Sequence, residues 1–213
     1  MARFTRTYSM LPPVVKFLLI TNTLIFMLEL SMGSRLINAF ALWPLDTTVA
    51  PDFRLMHAHF QIYQLFTYAF LHGSVMHLLL NMYALWLFGT RMENVWGSRV
   101  FSVYYFVCVL GAAIAQLLVT TLTGQIYPTI GASGGIFGLL LAFGMSFPNE
   151  RLLLIFPPVP IKAKWFVTIY AAIELWAGVT GTEAGVAHFA HLGGMLFGYI
   201  LIVYWQKHPP RFG

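Results

Sequence analysis

Charge is scarce in this chain. Only 9% of its 213 residues are Asp, Glu, Lys or Arg, while 59% are hydrophobic; a typical soluble domain is about 25% charged. Twelve basic and seven acidic side chains cannot coat a water-soluble domain of this size, which excludes an ordinary soluble enzyme. The same hydrophobicity excludes a disordered chain, which must be too polar to bury a core. Cysteine is scarcer still. Cys108 stands alone, so neither a disulfide scaffold nor an iron–sulfur or cysteine-rich zinc site is available. No His-Glu-x-x-His pair occurs, which excludes that class of metalloprotease. Internal repeats and low-complexity stretches are also lacking. The length suits one domain, or a bundle of roughly five to seven spanning helices.

What the chain has in abundance is apolar runs. Six approach the roughly 17–25 residues that cross a bilayer: Val14–Met32, Leu71–Thr90, Val100–Leu122, Ser133–Phe147, Trp165–Gly181 and Ala187–Trp205. The first is expected to be a true span rather than a cleaved signal. Its run exceeds an h-region of about 7–15 residues, and the small-x-small site at Ala39-Phe40-Ala41 lies well past its end. The reading is therefore all-α and polytopic, with six spans in one membrane domain over residues 1–213. A long outer connection, about residues 33–70, contains Trp43, Pro44 and Pro51. It is too apolar for a solvated linker and too interrupted for a span, so it is expected at or within the membrane surface.

The formal charge of +5 raises nucleic acid as a partner. Its placement removes that reading. Arg3, Arg6, Lys16, Arg91, Arg99, Arg151, Lys162, Lys164, Lys207 and Arg211 fall on one side of the six spans, and only Arg35 and Arg54 on the other. Such a bias marks the cytoplasmic side and puts both termini there.

Polar groups then gather at one depth. With that orientation, spans two, four and six all run inward. His72, His77 and Asn81, then Ser133, then His188 and His191, all lie toward the outer face. Ionisable side chains inside a span are functional candidates by default. Span four is short: its 15 residues cover about 22 Å at 1.5 Å each, against a hydrocarbon core of about 30 Å. The stretch Gly124–Gly131 must then dip into the membrane, placing Ser133 at a submerged helix N-terminus whose N–H groups favour developing negative charge.

Each element also has a plainer reading. The run Gly131-Ala132-Ser133-Gly134-Gly135, taken alone, suits close helix packing, as does Gly194-x-x-x-Gly198. His77 and Asn81 share a helical face and could simply bond a neighbouring helix. His57-x-His59 reads as a surface pair and His208 as a solvated tail residue. Glu29 and Glu174 read as structural hydrogen-bonding acids, with a proton relay as the alternative.

In combination these elements resemble the rhomboid family of intramembrane serine proteases. The matching residues are Gly131-x-Ser133-Gly134, Ala190-His191-x-x-Gly194-x-x-x-Gly198, His77-x-x-x-Asn81, and Glu93 with Trp96-Gly97. The resemblance runs from about Phe66 to Tyr199, with the motifs in order and on the expected spans. The resemblance implies Ser133 as nucleophile and His191 as general base, a dyad without a third acid. It implies His77, Asn81 and the Ser133 N–H as oxyanion donors, and Glu93 as a loop-anchoring acid. Phe137 stands where some members place a tyrosine against the base. Two departures are visible: Trp43 and Arg54 stand apart where an adjacent Trp-Arg pair occurs elsewhere, and position 130 is Ile where some members have glycine.

The implied activity is hydrolysis of peptide bonds in or near single transmembrane segments, without metal or cofactor. The partners are transmembrane substrates and the lipid bilayer; nucleic acid is not one, and the oligomeric state is open. The chain shows no transit-peptide pattern, and a bacterial plasma membrane is the expected location. Two rivals remain: a haem or metal protein using His72, His77, His188 and His191, and an inactive relative that binds membrane clients. Between the two span-six histidines, His191 lies closer to the Gly194/Gly198 face. That face is expected to meet span four, making His191 the base and turning His188 away.

Overall fold

The computed structural model describes residues 8–45, 59–153, 158–181 and 187–210. Arg3, Arg6, Pro51, Arg54, His57 and Arg211 lie outside the described residues. The chain is mostly helical. Its helices are α1 (Pro13–Met32), α2 (Ser34–Phe40), α3 (Gln64–Thr67, continued by a 3-10 turn to Phe70), α4 (Val75–Ala84), α5 (Thr90–Trp96), α6 (Ser98–Thr123), α7 (Ser133–Ser146), α8 (Ala163–Thr180) and α9 (His188–Lys207). A π turn, Leu85–Gly89, joins α4 to α5. A small antiparallel hairpin, β1 (Arg151–Leu153) with β2 (Pro160–Lys162), precedes α8.

Among the described residues three helices, α1, α6 and α9, are long and apolar enough to cross a membrane. A fourth crossing is reached if α3 with its 3-10 turn and the α4–α5 rod, bent by 100°, count as one span. Their outward faces expose large apolar side chains, among them Phe17, Leu24, Leu118, Leu122 and Ile200, as lipid contact requires. The chain is an integral membrane protein. The expected count of six is not reached on length and composition. With 14 residues, α7 is about 21 Å long, and α8 carries Lys164 and Glu174 within its 18.

The second span also begins later than the sequence suggests. Ser74 caps α4, its Oγ accepting from the His77 N–H at 3.1 Å, so His72 lies ahead of the helix rather than inside it. The rod then runs past Thr90 to Trp96 because Glu93 has a buried task. Pro12 and Pro13 open α1, and proline at the first helical position has no N–H to satisfy. The next two donors, the N–H groups of Val14 and Val15, reach the Glu93 carboxylate at 3.0 and 2.8 Å, and Ser98 Oγ donates to it at 2.7 Å. A carboxylate at a helix N-terminus also complements the helix dipole. The far end of α1 is tied by Glu29, whose Oε2 accepts the His72 N–H at 3.0 Å.

In the outer connection, buried Gln64 accepts from the N–H groups of Trp43 and Gln61 and donates to the carbonyls of Ala39 and His59. Leu42 and Thr129 exchange both backbone hydrogen bonds, at 3.0 and 2.9 Å. The outer connection is thereby fastened to the strand of backbone that leads into α7.

At the centre, α7 packs against α6, α8 and α9, and α9 against both α6 and α7. Nearly every side of α7 is buried, from Gly134 to Gly144. Gly194 of α9 lies against the backbone of Gly134, with no room for a Cβ between them. Gly198 differs from expectation: its open side is filled by Tyr104 and Cys108 of α6, not by α7. The reason is that α9 sits in the groove between α6 and α7, so successive glycines along it meet different neighbours.

Candidate active site

Ser133 is the first residue of α7, and its N–H is one of the first-turn donors that a helix leaves without an internal partner. The turn before it depends on Gly131, whose φ of +124° is a conformation that L side chains rarely adopt. The Gly131 N–H donates to the Tyr68 carbonyl at 3.0 Å, which fixes the turn against the 3-10 segment.

From α9, His191 brings Nε2 to 2.8 Å from Ser133 Oγ. Its Nδ1 lies 2.9 Å from Glu174 Oε2 of α8. An imidazole that donates from Nδ1 to a carboxylate keeps its lone pair on Nε2, the form able to take the serine proton. The Phe137 ring, one turn after Ser133, stacks on the imidazole, and Tyr170 in turn stacks with Phe137. His188 directs its Nδ1 to the same Glu174 oxygen at 2.8 Å. Glu174, His188 and His191 are all buried.

His77 and Asn81 occupy the facing wall. The Gly73 N–H donates to His77 Nδ1 at 3.4 Å, which leaves Nε2 as the protonated nitrogen. A Cβ on Gly131 would sit 2.9 Å from His77 Nε2 and 3.6 Å from Ser133 Oγ. Glycine therefore keeps open a space, about the size of one atom, between the histidine and the serine. Asn81 Nδ2 donates to the His77 carbonyl at 2.9 Å, using one of its two amide protons. His72 packs edge-on to His77, ring centroids 5.0 Å apart, and is itself buried.

Ser133, His191, His77, Asn81, Phe137 and Glu174 line one cavity of about 1260 Å³, larger than the roughly 300–1,000 Å³ of a small-molecule pocket; His72 and His188 lie outside its lining. It runs between α4 (His77, Leu80, Asn81, Ala84) and α8 (Phe166, Tyr170, Glu174), with α7 as its floor and Arg91 and Glu150 at one end.

Among the described residues one set of side chains could hold a metal. Glu174, His188 and His191 offer ligand atoms that all lie within 4.8 Å of one another. The two imidazole-to-carboxylate distances, however, are those of hydrogen bonds, with the protons on the nitrogens that a metal would need bare. Among the sequence candidates, the structure brings together Ser133, His191, Phe137, Gly131, His77 and Asn81. Gly134 and Gly194 hold the two helices close, and Glu93 and Gly198 stand apart, at the start of α1 and against α6.

Sequence reasoning missed the contact between Glu174 and His191. A signal existed. Glu174 is an ionisable group in an apolar helix, and α8 and α9 are consecutive packed helices, with the acid near the end of one and the histidines at the start of the next. Gln64 and Tyr170 carried no such signal.

A family model described as Rhomboid domain matches residues 59–207. The rat presenilin-associated rhomboid-like protein, mitochondrial, is 33% identical over 153 residues, covering 66% of this chain and 39% of the relative. Rhomboid protein 1, mitochondrial, of Saccharomyces cerevisiae is 34% identical over 144 residues, covering 65% and 40%. RHOMBOID-like protein 4 of Arabidopsis thaliana is 34% identical over 131 residues, covering 62% and 31%. The matched segment is thus two fifths or less of each of these relatives' own length. With a family match across most of its residues, this chain belongs to the rhomboid family.

Proposed function

We propose that the protein is an intramembrane serine endopeptidase. The observation that carries this reading is the 2.8 Å contact between Ser133 Oγ and His191 Nε2 at the mouth of a submerged helix. A serine hydroxyl becomes a useful nucleophile when a positioned base takes its proton. Ser133 Oγ attacks the scissile carbonyl carbon while His191 Nε2 accepts the hydroxyl proton. The oxyanion settles in the space that Gly131 leaves open, receiving hydrogen bonds from His77 Nε2, the Ser133 N–H and the Asn81 amide. His191 then returns its proton to the leaving amine, and a water repeats the sequence to release the acyl group.

The substrates on this reading are transmembrane segments that unwind near the site, since the scissile bond must be extended to enter the cavity. The protein works in the bilayer with six helices embedded, α7 and α8 among them, and without metal or cofactor. On this reading both termini lie on the cytoplasmic side, which the basic bias favours, and the membrane is a plasma membrane. The mitochondrial names of the rat and yeast relatives make an organelle membrane the competing location, which fractionation of the native source decides.

The test is fluorophosphonate labelling together with cleavage of a reporter transmembrane substrate by the purified chain. Wild type is expected to label and cleave, and Ser133→Ala to do neither while staying folded. Cleavage by Ser133→Ala at a comparable rate would show that the serine assignment is wrong.

A further inference from the structure

We propose that Glu174 is the positioning acid of this site and that His188 holds it in place. The inference rests on the protease reading above, and adds a third group, and a fourth behind it, to a pair that otherwise stands as a dyad.

The geometry points one way. Glu174 Oε2 sits 2.9 Å from Nδ1 of His191 and 2.8 Å from Nδ1 of His188. Both nitrogens donate, and the carboxylate oxygen accepts twice. For His191 this selects one tautomer and leaves Nε2 with its lone pair aimed at Ser133 Oγ, 2.8 Å away. A base in the other tautomer would present N–H to the serine and could not deprotonate it.

The ring is constrained in two independent ways. Phe137 fixes its plane, lying 4.1 Å away at an angle of 5°. A plane alone does not stop the ring turning over within it, which exchanges nitrogen for carbon. Glu174 supplies the missing restraint. Tyr170, which stacks with Phe137, lies one turn before Glu174 on α8, so one helix carries both supports. When His191 takes the serine proton, the adjacent carboxylate also offsets the new positive charge.

The role of His188 follows from burial. A carboxylate that is only 6% exposed in an apolar bundle needs hydrogen-bond donors to remain an anion. His191 alone would be both its client and its sole support. His188, three residues earlier on α9, provides a second donor from the same rigid helix.

The experiment uses the full chain in detergent or liposomes, with Glu174→Gln, Glu174→Asp, His188→Ala and the double variant Glu174→Gln/His188→Ala. Turnover, fluorophosphonate labelling rate and thermal midpoint are measured on each. Glu174→Gln is expected to lower kcat by about 100-fold or more with KM within about twofold of wild type, because the loss falls on the transition state. Glu174→Asp should recover part of it. His188→Ala is expected to cost only about three- to tenfold, and that cost should vanish in the Glu174→Gln background, as it must if His188 acts through the acid.

A second readout does not depend on turnover. The histidine Nδ1 protons bonded to Glu174 should appear as low-field resonances in 15N-histidine-labelled protein. They should persist in Ser133→Ala and disappear in Glu174→Gln. A folded Glu174→Gln that labels and cleaves within about threefold of wild type overturns the proposal alone. Equal His188→Ala penalties in both backgrounds remove His188 from it. A wild type that neither labels nor cleaves overturns the protease reading and this proposal with it.

Discussion

Phe137 lies flat on His191, with 4.1 Å between ring centroids and 5° between ring planes. The contact joins α7, which carries Ser133, to α9, which carries the proposed base. It sets the imidazole plane without contributing a polar atom.

The first prediction concerns that stack. Phe137→Ala removes the flat surface and opens a void, so the imidazole can tilt away from Ser133. Turnover should fall by about ten- to a hundredfold, as expected when a catalytic group is misplaced by a fraction of an ångström to one. Phe137→Tyr keeps the ring and should stay within about threefold of wild type, since only the stacked surface is needed. Equal losses in the two variants would mean that the ring edge, not the face, matters.

The second concerns the oxyanion donors. His77→Ala and Asn81→Ala should each lower kcat by roughly one to three orders of magnitude, the cost of one transition-state hydrogen bond. Fluorophosphonate labelling should slow in step, because the phosphonyl oxygen occupies the same space beside Gly131. Normal rates in both variants would leave the two side chains a packing role.

The third concerns Glu93, which is far from the chemistry. Its carboxylate receives the N–H groups of Val14 and Val15 and the Ser98 hydroxyl. Glu93→Ala strands these donors in a buried place, at about 1–3 kcal/mol for each left unsatisfied. The thermal midpoint should drop by several degrees, while the molecules that remain folded label with fluorophosphonate at the wild-type rate. A labelling defect without loss of thermal stability would tie Glu93 to the site instead.

Much of this was legible because bilayer physics narrows what a sequence can mean. Apolar runs gave α1, α6 and α9 nearly to the residue, and the short run opening at Ser133 gave α7. Helical spacing on α9 was enough to favour His191 over His188. What stayed hidden depends on contacts between helices that no periodicity reports. The late start of α4 comes from the Ser74 cap, and its continuation through a π turn from the buried task of Glu93. Glu174 read as a lone structural acid because its partners lie on the next helix, and Gly198 read as a partner of α7 because rotation on one helix does not say which neighbour occupies each side. The crossing count exceeds what α7 and α8 support on their own. α7 is sheltered by other helices and need not be long, whereas α8 exposes Trp165, Ile173, Trp176 and Val179 and falls short through its charged and polar residues.

The last prediction separates two glycines of α9 that look equivalent in sequence. A Cβ on Gly194 would collide with the backbone of Gly134, at its carbonyl oxygen and carbon. Backbone on both sides cannot yield, so Gly194→Ala must push α9 away from α7. That movement separates His191, one turn before Gly194, from Ser133, the neighbour of Gly134, and loss of the 2.8 Å contact should cost about a hundredfold or more in turnover. Gly198→Ala meets the Tyr104 hydroxyl and Cys108 Sγ instead, the latter at 3.0 Å. These are side-chain atoms of α6, away from the dyad. Some adjustment there is possible, at the cost of the Tyr104 hydrogen bond to the Gly138 carbonyl, now 2.8 Å. Gly198→Ala should therefore lower the thermal midpoint while keeping most of the turnover per folded molecule. Paired measurement of labelling rate and thermal midpoint decides it. Comparable activity in the two variants would show that α9 tolerates displacement from α7, and that the register at Gly194 does not set the distance between serine and base.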